Sequence, residues 1–257
     1  MRVGETFKLR VQRENPATNT GRAYQEFDIP YEPGLTVLEA LLRAKERFDH
    51  SIAIRFSCRM ASCGSCGMLI NGLPRLACYT QINEIPEKTI TVGPLDHYPL
   101  VRDLVTDFHG FFDKHKSVSP YLLRRNVAEQ ETSNSEYYQN SEELDSFLQF
   151  SYCIKCGLCN AACPTMASDS KFMGPQALGQ AYRYVADSRD EGAIQRLRAV
   201  DQEHGIWRCH FAGSCSFVCP KGVDPALAIQ KLRGCTLSKS SANRIGSSLM
   251  PVKTTKG

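Results

Sequence analysis

From residue 6 the chain alternates. Phe7, Leu9 and Val11 are apolar, while Lys8, Arg10 and Gln12 between them are polar, so TFKLRVQRE (residues 6–14) predicts a strand with one buried face. RAYQEFDI (22–29) predicts its antiparallel partner, and MLINGLPRL (68–76) a hairpin turning at Asn71-Gly72. Between these the period changes. In VLEALLRAKERF (37–48) the apolar residues recur at helical spacing, and Thr36 with Glu39 forms a capping box ahead of them. YPLVRDLVTDFHGFFDKHK (98–116) predicts an amphipathic helix. RRNVAEQETSNSEYYQNSEEL (124–144) is polar and poor in aliphatic residues, which predicts a long loop or linker. Beyond it the periodic stretches are helical: GPQALGQAYRYVADS (174–188), DEGAIQRLRAVDQEH (190–204) and DPALAIQKLR (224–233). The tail, LSKSSANRIGSSLMPVKTTKG (237–257), has little to bury and predicts a disordered end or one laid over a partner.

The pattern describes a strand-rich first half and a helical second half. A length of 257 residues allows one large or two modest domains, at about 100–200 residues per domain. A net charge of +4 with 23% charged residues offers no basic stripe, so nucleic acid is not an expected partner. No apolar run approaches the roughly 18 residues that span a bilayer. The charged opening MRVGETFKLRVQREN lacks the apolar core of a signal peptide, which predicts a soluble chain kept where it is made.

The twelve cysteines change the picture. Eleven fall at close or fixed offsets, as ligands converging on metal centres do, whereas reduced core cysteines would scatter and a disulfide framework would need export. Cys58, Cys63 and Cys66 give C-x4-C-x2-C, with Cys78 further on. This is the plant-type arrangement for a [2Fe–2S] cluster on four thiolates. Ala61, Ser62, Gly64, Ser65 and Gly67 are small enough for the backbone to wrap closely and aim N–H groups at the sulfurs. With the strands and helix around it, the loop predicts a β-grasp ferredoxin domain. Zinc is the alternative, but zinc ribbons pair two CxxC knuckles and this spacing does not.

CIKCGLCNAACP carries Cys153, Cys156, Cys159 and Cys163 before Pro164, the run of two-cluster bacterial ferredoxins. CHFAGSCSFVCP repeats it with Cys209, Cys215 and Cys219 before Pro220, but has Ala212 where a cysteine would stand. In such runs the last cysteine serves the other cluster. Cys153, Cys156, Cys159 and Cys219 then hold a [4Fe–4S] cubane, while Cys163, Cys209 and Cys215 hold a cluster short of one corner. A methyl group binds no iron, so a [3Fe–4S] cluster is expected there, more easily reduced than its neighbour because fewer anionic ligands oppose the incoming electron. The other possibility is a decayed site with no cluster, against which the retained cysteines and prolines argue. Cys235 fits no ligand position and reads as a core or surface thiol.

No phosphate loop, nucleophile motif or acid–base pair stands out, and the six histidines are scattered. Three clusters without a substrate pocket describe a wire. SCRMASCGSCGM, CIKCGLCNAACP, AYRYVADSRD and CPKGVDPALAIQ resemble, in order and spacing, the iron–sulfur subunit of the succinate dehydrogenase and quinol:fumarate reductase family, over residues 5 to 235. The resemblance implies an α+β protein: a β-grasp plant-type ferredoxin domain with its connecting helix (1–117), a linker (118–150), an α-helical two-cluster domain (151–235) and a tail (236–257). It implies a flavoprotein partner with covalent FAD, where succinate and fumarate interconvert, and a membrane anchor, with or without haem b, where quinone reacts. The [2Fe–2S] cluster would face the flavin and the [3Fe–4S] cluster the quinone, on the cytoplasmic face of a bacterial or archaeal inner membrane or the matrix face of a mitochondrial one.

The same resemblance assigns Pro164, His210, Gln230 and Arg233 to the vicinity of the quinone, with Gln230 similar to a reductase-type position. One departure stands out. Ubiquinone-linked dehydrogenases carry a tryptophan shortly after the Cys-Pro pair, and here TMASDS follows, which points to menaquinone or another quinone. Succinate oxidation, fumarate reduction in reverse and a soluble multi-cluster ferredoxin are the functions in view.

Overall fold

The computed structural model of the protein describes residues 4–126, 128, 131 and 136–238. The linker positions 127, 129–130 and 132–135 and the tail beyond Ser238 lie outside the described residues. The chain forms two compact units. The first comprises residues 4–110 with Ile154–Ala162 and Phe217–Lys221, and the second comprises 111–153, 163–216 and 222–238.

In the first unit, alternation becomes strands. β1 (Thr6–Asn15) pairs antiparallel with β2 (Thr20–Pro30), bringing Leu9 opposite Phe27 and Phe7 opposite Ile29. α1 (Val37–Arg47) follows, opened by the predicted capping box: Thr36 Oγ1 accepts from Glu39 N at 3.2 Å, and Glu39 accepts from Thr36 N at 2.9 Å. β3 (Gly67–Ile70) and β4 (Leu73–Leu76) make the hairpin, with φ of 47° at Asn71 and 78° at Gly72. Left-handed backbone at both central positions is what a type I′ turn needs. β5 (Thr89–Gly93), which the pattern of the sequence does not single out, lies parallel to β1 and antiparallel to β3, giving the order β2-β1-β5-β3-β4. Val37, Leu38, Leu41 and Ala44 of α1 are buried in one core with Leu9, Val11, Met68, Ile70, Ile90 and Val92. A helix crossing one face of a mixed sheet is the β-grasp arrangement expected.

The helix expected over 98–116 forms only in its last part, His109–Lys116. Before it stand β6 (Leu100–Arg102) and β7 (Val105–Thr106), a small antiparallel pair. Asp103 explains the difference. It turns the chain at φ 50°, and its buried carboxylate accepts from Glu14 N at 3.2 Å and Ala53 N at 2.9 Å and pairs with Arg13. Those partners are far away in sequence, so helical periodicity could not foresee them. The stretch expected as a linker also contains structure, a short Ser141–Asp145 helix capped by Asn140.

The second unit is helical, as expected. Pro175–Val185 buries most of its residues, Ala193–Val200 follows, and Pro225–Leu237 approaches the first so closely that a Cβ on Gly179 would lie 3.8 Å from Pro225. The core holds a full charge pair. Arg196 and Asp190 are both wholly enclosed, with Arg196 Nη1 donating to Asp190 Oδ1 at 2.5 Å. The remaining guanidinium N–H groups donate to the carbonyls of Val118, Ser119 and Tyr121, and Asp190 accepts from Leu123 N. One side chain thus anchors the whole 118–123 segment. Arg196→Met should strand Asp190 as an uncompensated buried charge and cost about 3–5 kcal/mol. Urea unfolding followed by circular dichroism checks this, and adding Asp190→Leu should recover part of the loss.

Candidate functional site

The loop of the first motif is built from backbone that turns the wrong way for ordinary residues. Arg59, Ala61 and Gly64 have φ of 59°, 55° and 74°. These turns swing N–H groups inward. Cys58 Sγ accepts from the backbone N–H of Met60 (3.4 Å), Ser62 (3.3 Å) and Cys63 (3.2 Å). Cys78 Sγ accepts from Ala61 N at 3.3 Å, and Cys66 Sγ from Cys78 N at 3.4 Å. Cys63 Sγ accepts from Cys58 N at 3.5 Å and from the Ser65 hydroxyl at 3.2 Å. The four thiols are therefore stitched into one group, and none is in a disulfide.

Donors aimed at sulfur stabilise the thiolate that binds iron. Burial disfavours ionisation of Cys63, but the Ser65 hydroxyl and neighbouring N–H groups outweigh it and draw its pKa down to about 6. Cys66, buried beneath it, is pushed up to about 12 by burial, with Cys78 and Cys63 adding their repulsion. Four such sulfurs around a donor-lined loop fit a two-iron cluster. Among the described residues no three His, Cys, Asp or Glu side chains gather as the ligands of a single ion would.

Cys156, Cys159 and Cys219 belong to the first unit, and Cys153 to the second. Lys155 (φ 57°) and Gly157 (φ 79°) reverse the chain at Cys156. Tyr98 fixes that reversal. Its hydroxyl donates to Gly157 O at 2.9 Å, and its ring stacks on Phe108 at 4.6 Å. Burial holds the Tyr98 hydroxyl far above its usual range, and the charges of Cys159 and Cys156 add to the shift.

Cys163, Cys209 and Cys215 all belong to the second unit. Burial pushes the Cys215 thiol up to about 11, and both Cys163 and Cys209 contribute to the rise. Cys209 is raised by burial and by Cys163, against the pull of Arg233. Phe211 (φ 57°) aims its N–H at Cys209 Sγ at 3.4 Å, and Ala212 beyond it is exposed. Cys163 sits just before the Pro164–Ser168 helix, after which Asp169 accepts from His204 Nδ1 (2.8 Å) and Arg208 Nε (3.0 Å). Asp169 thus ties the segment after Cys163 to the one before Cys209.

The four residues assigned to the quinone vicinity differ in placement. Pro164 and His210 are exposed. Gln230 is half-buried, and its Nε2 is enclosed with no hydrogen-bond partner among the described residues. Arg233 is occupied: it donates to Ile206 O at 2.8 and 3.0 Å and to Cys209 O at 2.6 Å, clamping the Cys209 turn. Sequence reasoning missed Trp207. It is 42% exposed, bonds Asp201 Oδ1 through Nε1 at 2.6 Å and carries the Arg233 guanidinium 5.7 Å from its ring centre. Being the chain's one tryptophan and two residues from Cys209 was the available signal.

Two family models match the chain, a 2Fe-2S iron-sulfur cluster binding domain over residues 8–113 and a 4Fe-4S dicluster domain over 149–223. The fumarate reductase iron-sulfur subunit of Mycobacterium tuberculosis is 42% identical over 225 residues, covering 88% of this chain and 90% of that one. That of Escherichia coli O157:H7 is 38% identical, covering 88% and 91%. The succinate dehydrogenase iron-sulfur subunit of Coxiella burnetii is 38% identical, covering 87% and 94%. Among solved structures, a chain of the Mycobacterium smegmatis Sdh1 complex in the apo form superposes with a TM-score of 0.81 at 26% identity, covering 94% of this chain and 97% of that chain.

The Ser65 hydroxyl is the one side-chain donor to a first-motif sulfur among the hydrogen bonds described above. Hydrogen bonds to ligand sulfur favour the more negative, reduced cluster. Ser65→Ala should lower the potential of the two-iron signal by about 40 mV, the one-electron equivalent of about 1 kcal/mol. A redox titration followed by electron paramagnetic resonance reads this directly.

Proposed function

The chain belongs to the family of fumarate reductase and succinate dehydrogenase iron–sulfur subunits, and from that premise we propose how its residues carry electrons between a flavoprotein and a membrane quinone. It is an electron-transfer subunit of a succinate:quinone oxidoreductase. Cys58, Cys63, Cys66 and Cys78 would hold the [2Fe–2S] cluster; Cys153, Cys156, Cys159 and Cys219 the [4Fe–4S] cluster; Cys163, Cys209 and Cys215 the [3Fe–4S] cluster. When bound, these groups supply one-electron redox chemistry. The chain's own part is to hold the sulfurs as thiolates, exclude water and present the ends of the path to partners.

The observation that carries the reading is the group around Ala212. Three thiols share an electrostatic environment while the fourth position of the motif is an exposed methyl. Arg233 and Asp169 hold the two segments that bear Cys163 and Cys209, so the turn is maintained without the missing ligand. Near it in the chain stand exposed aromatic groups, Trp207 at 42% and Phe211 at 56%. Exposed apolar side chains next to a redox site mark a docking surface, and no helix among the described residues is long and apolar enough to cross a membrane. We assign this surface to a membrane anchor and its quinone. The residues after Pro164 and the reductase-like Gln230 favour a menaquinone-type acceptor, and the flavoprotein with FAD would meet the first unit at exposed Cys63.

Purified anaerobically, the protein should contain about nine irons, two, four and three. Ala212→Cys should abolish the oxidised-state three-iron resonance, lower the potential of that site and slow quinone reduction while dye reduction on the flavin side persists. An unaltered three-iron signal would show that the site is not built around position 212. Phe211→Asp should release the chain from sedimenting membranes with its clusters intact. A wild-type chain fully active in the soluble fraction would favour a soluble multi-cluster ferredoxin.

A further inference from the structure

Gly64 stands between Cys63 and Cys66, and its place in the fold is tighter than a turn alone requires. A Cβ built on it would lie 2.8 Å from both Cα and Cβ of Cys156 and 3.2 Å from Cys156 N. These are backbone and near-backbone atoms, which cannot swing aside as the end of a long side chain can. Gly67 repeats the approach more gently, since its Cβ would meet Leu158 Cδ2 at 3.1 Å and Cys156 O at 3.3 Å. Both pairs lie within the first unit.

Cys156 has no room to retreat. The residue after it, Gly157, is held by the Tyr98 hydroxyl, and a Cβ there would lie 2.5 Å from Phe108 Cε1 and 2.6 Å from Tyr98 Oη. Leu158 beyond it is fully buried. The loop of the first motif and the segment of the second are therefore packed backbone to backbone, with the side-chain layer that normally separates two segments removed. Glycine serves close approach of this kind.

We propose that Gly64 is a positioning residue that sets the separation between the two-iron and four-iron sites, and hence the transfer of an electron between them. The inference rests on the ligand assignment proposed above. The step moves one electron: the group on Cys63 and Cys66 is oxidised as the group on Cys156 is reduced, or the reverse, with no bond made and no proton moved. Electron tunnelling decays exponentially with distance, so a spacing fixed by backbone contact fixes the rate.

The test needs a control for backbone strain alone. Gly72, at the hairpin, has φ of 78° and nothing within 4 Å of where its Cβ would stand, against φ of 74° at Gly64. Gly72→Ala therefore carries the conformational cost without the collision. In the full-length protein with its clusters loaded, the measurement is the relaxation of the reduced two-iron resonance, which the neighbouring reduced cubane speeds by magnetic coupling. Gly64→Ala should keep both resonances but lose this enhancement several-fold, while Gly72→Ala keeps it in full. Gly67→Ala should show a smaller loss in the same direction, and it decides the matter if Gly64→Ala fails to load. Unchanged coupling in whichever of the two loads, or an equal loss in Gly72→Ala, would overturn the proposal. Zinc or no metal in the wild type would overturn the ligand assignment, and the inference with it.

Discussion

Thiolates brought to one centre repel each other, and when buried they also lose the water that would stabilise their charge. The burial-driven rise at Cys66 and Cys215, increased in each case by neighbouring thiols, reflects that cost. The remedy available to a polypeptide is its own N–H dipoles. They reach a sulfur only if the chain curls around it, and curling that tightly demands left-handed backbone. Arg59, Ala61 and Gly64 in the first loop and Phe211 in the Cys209 turn have positive φ where backbone N–H groups are aimed at sulfur. Much of the local conformation of the chain follows from the need to keep sulfur anions together.

Such turns are not stable by themselves, so each is braced by something rigid. The first loop leads directly into β3, and Cys78 follows soon after β4, so the sheet fixes where its sulfurs converge. The Cys156 turn is braced by the Tyr98–Phe108 stack, and the Cys209 turn by the Arg233 clamp. Arg233 is instructive. Its likeness to a basic residue of the family suggested a role toward the quinone, yet its guanidinium is committed to the Ile206 and Cys209 carbonyls. A charge beside a cofactor site can act by holding the ligand loop, and here that is the role the hydrogen bonds support.

Legibility in the sequence followed the range of the interactions. β1, β2, α1 and the Asn71-Gly72 turn could be read because alternation, a capping box and a turn dipeptide are local devices. The small residues of SCRMASCGSCGM likewise announced N–H donors at sulfur, and the structure has them. β5 escaped because its pairing with β1 is parallel and distant. The β6–β7 pair was misread as helix because Asp103 takes its meaning from Glu14 and Ala53, which no window around it contains. Trp207 escaped because its environment is made by Arg233 on another helix.

Exposure along the cysteines divides the chain's tasks. Cys63 is exposed and Cys66 is buried three residues later, so the first loop offers one edge to solvent and one to the interior. Met60, 73% exposed, stands beside that open edge. At the other motif Cys215 is buried while Ala212 and Phe211 face outward. A wire needs this arrangement. Its interior must be dry and closely spaced so that electrons move faster than they leak, and its ends must be open enough for partners to approach within tunnelling range. Small residues do both jobs by opposite means: Gly64 lets two internal segments meet backbone to backbone, and Ala212 puts a methyl at an exposed turn where the repeated motif would have a cysteine. On the proposed ligand assignment, the chain sets its electron path as much by side chains it omits as by the eleven thiols it supplies.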